Sequence, residues 1–263
     1  MSARGGAPSV GPRRLTRSFA ALPPFAQTAL FVDVDGTLLD IAPTPEQVVV
    51  PEGLADALRA LRHRLGDALA VVSGRPVEQL EALLGDAPYA LAGEHGSALR
   101  PRPAAEVERC ALPTPLPAWY EAAERIAASH EGVRLERKPH GFVLHYRARP
   151  ALGERLGEEI GALIAGSEAF LLMPARKAWE VRPRGVDKGT AVRTLMRNPP
   201  FAARRPLFIG DDVTDEDGIS AAEALGGCGL WVPEVFGGPA QVRQWLARAA
   251  RDATWPAEVG TSA

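Results

Sequence analysis

The chain has 263 residues, of which 46% are hydrophobic and 24% charged, with a formal net charge of −2. That length suits one large domain or a core with a smaller second unit, and the balanced charge excludes a basic nucleic-acid surface or an acidic tail. No apolar run approaches the ~18 residues needed to cross a bilayer, and the two cysteines, Cys110 and Cys228, have no metal-type spacing, which points to a reducing cytoplasm rather than a disulfide framework.

Residues 1–18 are rich in Gly, Pro, Ser and Arg, and Pro23 and Pro24 interrupt the apolar stretch that follows. Residues 1–24 therefore read as a disordered tail rather than a secretory signal. An apolar run at 29–33 predicts a buried parallel strand. Helical spacing after Pro51 predicts a helix over 52–65. A strand at 68–72, a helix at 76–84 and a strand at 89–92 continue the alternation expected of βαβ units around a parallel sheet.

The pattern then changes. Residues 101–117 are proline-rich and read as a linker. A helix over 119–129 precedes a strand pair, 133–138 and 142–147, that turns at Pro139-His140-Gly141. A helix over 151–165 carries Gly153, Gly157 and Gly161 at every fourth position, a spacing that lets another backbone approach closely. A second strand pair covers 170–176 and 178–182. The order αββαββ predicts a separate α+β unit with an antiparallel sheet. Alternation resumes with helices at 187–197, 214–225 and 239–252 and strands at 206–210 and 229–232. The predicted architecture is α/β: a Rossmann-like parallel-sheet core over 25–100 and 184–255, an inserted α+β cap domain over 101–183, and a C-terminal tail over 256–263.

Polar motifs interrupt the apolar runs where strands end, and in open α/β sheets functional groups gather at such ends. Asp33-Val34-Asp35-Gly36-Thr37 follows the first strand and can turn two carboxylates toward one pocket. Two acids there are costly without compensation. The run GDDVTDED at 210–217 also follows a strand and opens a helix, where some acids simply favour the helix N-terminus. Asp211, at the strand end, joins Asp33 and Asp35 as a set of hard oxygen donors suited to Mg²⁺, with Asp215 the next candidate ligand. Ser73-Gly74-Arg75 ends the second strand before a helix, where hydroxyl and backbone N–H groups can hold phosphate oxygens. Of the 30 basic residues, only Lys138, Lys177 and Lys188 are lysines. A chain that otherwise uses Arg keeps Lys where a compact ammonium is needed.

Together these motifs resemble the haloacid dehalogenase superfamily of aspartate-nucleophile phosphatases, from about residue 29 to 252. The resemblance implies that Asp33 attacks phosphorus, that Asp35 acts as acid and then base, and that Ser73 and Lys188 bind phosphate oxygens. It further implies a Mg²⁺ ion held by Asp33, Asp211 and the backbone carbonyl of Asp35. The run KAWEVRPRGVDK at 177–188, Arg137-Lys138 with Leu144-His145-Tyr146-Arg147, and GDDVTDED narrow the likeness to the trehalose-6-phosphate phosphatases. Carried over from that family, Lys177 and Glu180, with Lys138, would bind sugar hydroxyls. The family often has Lys where this chain has Arg182. The resemblance implies trehalose 6-phosphate as substrate and leaves room for a functional pairing with the synthase that makes it, while the balanced charge and the lack of a long apolar run predict no nucleic-acid or membrane partner. A sucrose-phosphate or glycosyl-acid phosphatase with the same cap, a phosphomutase and an inactive regulatory module are the alternatives.

Overall fold

The computed structural model describes residues 19, 22–42, 47–175 and 177–259. Elements follow in chain order as β1 (Thr28–Val32), α1 (Leu54–Arg64), β2 (Leu69–Val72), α2 (Val77–Leu84), β3 (Ala90–Gly93), β4 (Ala98–Arg100) and β5 (Glu108–Arg109). Next come α3 (Pro117–Ala128), β6 (Arg134–Lys138), β7 (Gly141–His145), α4 (Gly153–Leu163), β8 (Phe170–Ala175) and β9 (Ala178–Pro183). The chain closes with α5 (Lys188–Leu195), β10 (Arg205–Gly210), α6 (Glu216–Ala224), β11 (Cys228–Trp231), the single turn α7 (Val232–Val235) and α8 (Pro239–Asp252).

Seven strands form one sheet in the order β11-β10-β1-β2-β3-β4-β5. The first five are parallel, and β4 and β5 run antiparallel at the edge. All five residues of β1 are buried, because helices cover both faces of the sheet. Side chains alternate across a strand, so Leu30 and Val32 enter a core built with α1, α2 and α8. Ala29 and Phe31 enter a second core with α5 and α6. The second sheet, β6-β7-β9-β8, is antiparallel. It packs Phe142, Leu144 and Val181 against Leu156 and Ile160 of α4 and Ala123 of α3 in a third core.

The elements expected from periodicity are present, with ends within two residues of expectation. Strands β4 and β5 were not expected, since two- and three-residue edge strands carry no readable period; β5 lies inside the stretch read as a linker. The tails differ too. Phe19 stacks on Trp245 with ring centroids 5.5 Å apart, and Leu22 packs on the same core. Beyond α8, Trp255 stacks on Trp245 at 4.9 Å, and the buried Trp245 Nε1 donates to the Pro256 carbonyl at 3.0 Å. One large buried indole thus draws parts of both presumed tails onto the core, because its N–H needs an acceptor and its faces need cover. Residues 1–18, 20–21 and 260–263 of those tails lie outside the described residues, as does Arg176 of the predicted strand 170–176.

The glycine stripe of α4 also has a different neighbour from the one expected. Aromatic rings, not a backbone, lie against it. A Cβ on Gly153 would sit 2.8 Å from Tyr146 Cε2, and one on Gly157 would sit 2.7 Å from the Trp179 ring. Trp179 Nε1 donates to the Gly153 carbonyl at 2.7 Å. A Cβ on Gly161 would meet only Leu172 Cδ2, at 3.8 Å. Gly157→Leu should therefore destabilise the chain by about 1–3 kcal/mol through overpacking. Gly161→Ala should stabilise it by about 0.5–1 kcal/mol through helix propensity. Urea denaturation of the two variants checks both signs.

Candidate active site

The site is built at the carboxyl end of the parallel strands. The Asp33 N–H continues the ladder by donating to the Ile209 carbonyl at 3.0 Å. The chain then curls. Leu38 and Leu39 N–H groups both return to the Val34 carbonyl at 2.8 Å, which draws Val34, Leu38 and Leu39 into the core and leaves Asp33 and Asp35 on the cavity wall. Gly36 takes φ of +84°, and a Cβ there would lie 2.1 Å from Asp211 Oδ2. Only glycine fits both the conformation and the close approach. Thr37 Oγ1 donates to Asp211 Oδ1 at 3.1 Å.

Lys188 is buried between two carboxylates. Its Nζ donates to Asp33 Oδ1 and to Asp215 Oδ1, each at 2.7 Å. The other Asp215 oxygen accepts from the N–H groups of Asp211 and Asp212, each at 3.0 Å. Asp215 is fully buried with both oxygens engaged, so it supports Lys188 and the 211–212 backbone. Burial alone would push the Lys188 ammonium down, but the charges of Asp33 and Asp215 outweigh it and hold the group above the ordinary lysine range. Burial first, then Asp215, raises the Asp33 carboxyl, with Lys188 opposing. Burial and the charge of Asp215 push Asp211 up to about 6.

Asp33, Asp211 and Asp215 each bring a carboxylate oxygen within 4.8 Å of the others. Counted as ionised, three carboxylates against one ammonium leave a charge of −2, and hard oxygen donors fit a divalent cation. Asp35 lies apart from this group. Arg75 grips it in a fork, with Nε to Oδ2 at 2.6 Å and Nη2 to Oδ1 at 2.7 Å. Ser73 is buried at the end of β2; its N–H donates to the Ala92 carbonyl at 2.8 Å, and its Oγ accepts from the Arg75 N–H at 3.2 Å. A Cβ on Gly74 would lie 2.7 Å from the His95 ring.

A cavity of about 700 Å³ joins these groups to the second sheet; Asp33, Asp35, Ser73, Gly74, Arg75 and Lys188 line one side, and Lys138, Glu180 and Arg182 the other. Lys138 Nζ donates to Glu180 Oε1 at 2.7 Å. Burial would raise the Glu180 carboxyl, but Lys138 and Arg182 overcome it and hold it below the usual range. Lys138 and Glu180 sit on strands separated by β7, with Gly141 opposite Lys138 and Val143 opposite Glu180. Of the three residues expected to bind sugar hydroxyls, Lys138 and Glu180 line the cavity and Lys177 does not. Lys177 takes φ of +59° in the β8–β9 hairpin turn, is exposed and does not line the cavity. His95, which lines the cavity just after β3, escaped the sequence reading, although it too follows a strand end.

A model of the trehalose-phosphatase family matches residues 31–236. The chain is 35% identical over 203 residues to the trehalose-6-phosphate phosphatase of Escherichia coli, covering 77% of this chain and 76% of that one. It is 36% identical, with the same coverage, to a probable trehalose-phosphate phosphatase of Sinorhizobium fredii. The C-terminal domain of the C. albicans trehalose-6-phosphate phosphatase has the same fold, with a TM-score of 0.70 over 86% of this chain and 92% of that one at 22% identity.

The acid cluster has a consequence for stability without metal. Asp211 releases its proton near 3.8 in the unfolded chain and near 6 in the folded one. Between those values the folded chain binds the extra proton, so this group's contribution to stability falls as pH rises through about 4 to 6. Thermal melting in chelator should show that decline, and Asp211→Asn should flatten it.

Proposed function

The chain belongs to the trehalose-phosphatase family, and from that premise we propose that it hydrolyses trehalose 6-phosphate to trehalose and inorganic phosphate, the inserted sheet acting as a cap over the core. The observation that carries this reading is the single cavity in which the Asp33, Ser73 and Lys188 cluster faces the Lys138–Glu180 pair. One end suits a phosphate dianion; the other suits sugar hydroxyls.

In this proposal Asp33 is the nucleophile. Lys188 holds its Oδ1 and leaves the second oxygen to attack phosphorus. The bond from phosphorus to the sugar oxygen breaks, and Asp35 delivers a proton to that oxygen. Asp35 then takes a proton from water, whose oxygen attacks the same phosphorus and releases phosphate and free Asp33. Dividing the reaction into two displacements is the advantage of a covalent route. Both Asp35 oxygens are held by Arg75. An incoming phosphate competes for that guanidinium and frees Asp35 to face the leaving oxygen. Ser73 and the backbone at Gly74 hold the remaining phosphate oxygens, as groups opening a helix can.

Repulsion is the main obstacle. A carboxylate near a phosphate charge costs about 4 kcal/mol at about 4 Å and an effective dielectric near 20. Two phosphate charges therefore oppose attack by roughly 8 kcal/mol before screening. Lys188 supplies one positive charge. Mg²⁺, held by Asp33, Asp211 and the Asp35 carbonyl, would supply the rest by neutralising the phosphoryl oxygens. Asp215 serves this set from behind, through Lys188 and the backbone of 211–212.

Phosphate release across a panel of phosphorylated sugars tests the reading. Trehalose 6-phosphate should be the preferred substrate, excess chelator should abolish turnover, and Asp33→Asn should leave less than about 1% of activity in a folded chain. Preference for sucrose phosphate, full activity in chelator or substantial activity of the variant would each refute the matching part.

Glu180→Ala separates recognition from chemistry. Loss of a hydrogen-bonded charge should lower kcat/KM for trehalose 6-phosphate by roughly 10- to 150-fold. A small aryl ester such as p-nitrophenyl phosphate, too short to reach the cap, should be scarcely affected. Equal slowing of both would make Glu180 a structural residue.

A further inference from the structure

The cavity wall between the phosphate loop and the Lys138–Glu180 pair holds two polar atoms that are buried without a partner: His95 Nδ1 and Arg182 Nε. Burying such an atom unsatisfied is unfavourable, and native structures rarely keep one without a use for it. Nothing within the described residues satisfies either. Arg182, 8% exposed, is anchored by Nη2 to Asp217 Oδ2 at 3.3 Å, while its Nε is buried with no hydrogen-bond partner among the described residues.

His95 is fixed unusually firmly for a loop residue. Its backbone takes φ of +57° and ψ of +25°, a left-handed conformation that side chains other than glycine seldom adopt. Its N–H donates to the Ser73 carbonyl at 3.0 Å, and the preceding Glu94 N–H donates to the Arg75 carbonyl at 2.9 Å. The loop after β3 is therefore stitched to the phosphate loop, and the absence of a side chain on Gly74 makes room for the ring. Strain of this kind persists where surrounding structure holds it, and it gathers at functional sites.

We propose that His95 is a specificity residue, its Nδ1 meeting a hydroxyl of the sugar ring that carries the phosphate, with Arg182 Nε on the same wall. This rests on the trehalose-phosphate reading above. Placement supports it: the ring abuts Gly74 of the phosphate loop, and the charges of Lys188 on the core side and Glu180 on the cap side both act on it. Burial above all, with Lys188, Lys138 and Arg182 adding to it and Glu180 opposing, pushes the imidazole pKa down to about 3. The ring is thus a neutral hydrogen-bonding group at working pH, able to pair with a hydroxyl without repelling the nearby cations.

The test compares the wild-type chain, His95→Ala and His95→Asn on trehalose 6-phosphate and p-nitrophenyl phosphate, which carries no sugar ring. The asparagine amide places a polar atom where Nδ1 stands. His95→Ala should lower kcat/KM for the sugar ester about 3- to 10-fold, the range of one neutral hydrogen bond. It should leave the aryl ester unchanged, and His95→Asn should restore most of the loss. Equal losses on both substrates would mean that His95 merely props the Ser73–Gly74 loop. No loss, or an asparagine no better than alanine, would also overturn the assignment. A wild-type chain with no preference for trehalose 6-phosphate over other sugar phosphates would instead remove the underlying reading, before any variant is compared.

Discussion

The ammonium of Lys188, buried between Asp33 and Asp215, is the interaction on which the rest of the site depends. Carboxylates crowded at the end of an apolar sheet repel one another and lose hydration, and an unpaired buried charge is strongly destabilising. The ammonium answers both problems. Its own position is set by the first turn of α5, where the Asp187 side chain accepts from the Thr190 N–H at 2.6 Å. That turn is also where the chain returns from the inserted sheet. Asp215 adds the second half of the arrangement, since its other oxygen ties down the Asp211 and Asp212 amides. Asp211 is thereby pressed against Gly36, where a larger residue would collide. Three separate segments are locked to one charge.

The second sheet contributes a different kind of constraint. Its helices bury one face through Phe142, Leu144 and Val181, and alternation sends Glu180 and Arg182 to the other. Glu180 meets Lys138 from across the sheet, while Arg182 reaches the core at Asp217. Burial raises the Asp217 carboxyl, the charge of Asp187 adds to this, and Arg182 opposes both. This pair joins β9 of the second sheet to α6 of the core, so recognition groups are registered against the phosphate end by a direct contact as well as by the chain connections.

Much of this was legible in the sequence, for physical reasons. Asp33, Ser73 and Asp211 each break an apolar run at the point where a buried strand must end, and Lys188 stands out in a chain that otherwise uses arginine. The parallel sheet follows from the alternation of strands and helices. What escaped depends on three-dimensional register. That Lys138 meets Glu180 is decided by the strand pairing of β6, β7 and β9. The break between the two predicted strands already put Lys177 in a turn, but its left-handed backbone, φ +59°, has no distinct sequence mark. His95 lies in a three-residue turn with no period, and its importance comes from contact with Gly74. The packing of Phe19, Trp255 and Pro256 around Trp245 was hidden because isolated aromatic residues in proline- and glycine-rich stretches show no spacing pattern.

The proposed chemistry turns on one point: whether phosphorus passes through Asp33 or goes directly to water. Each in-line displacement inverts the configuration at phosphorus, so two in succession restore it. Trehalose 6-thiophosphate made chiral at phosphorus with sulfur and two oxygen isotopes, and hydrolysed in water of the third isotope, distinguishes the routes. Net retention in the released thiophosphate is the result predicted for attack by Asp33 with Lys188 behind it. Net inversion would mean a single displacement by water and would contradict the nucleophilic role of Asp33.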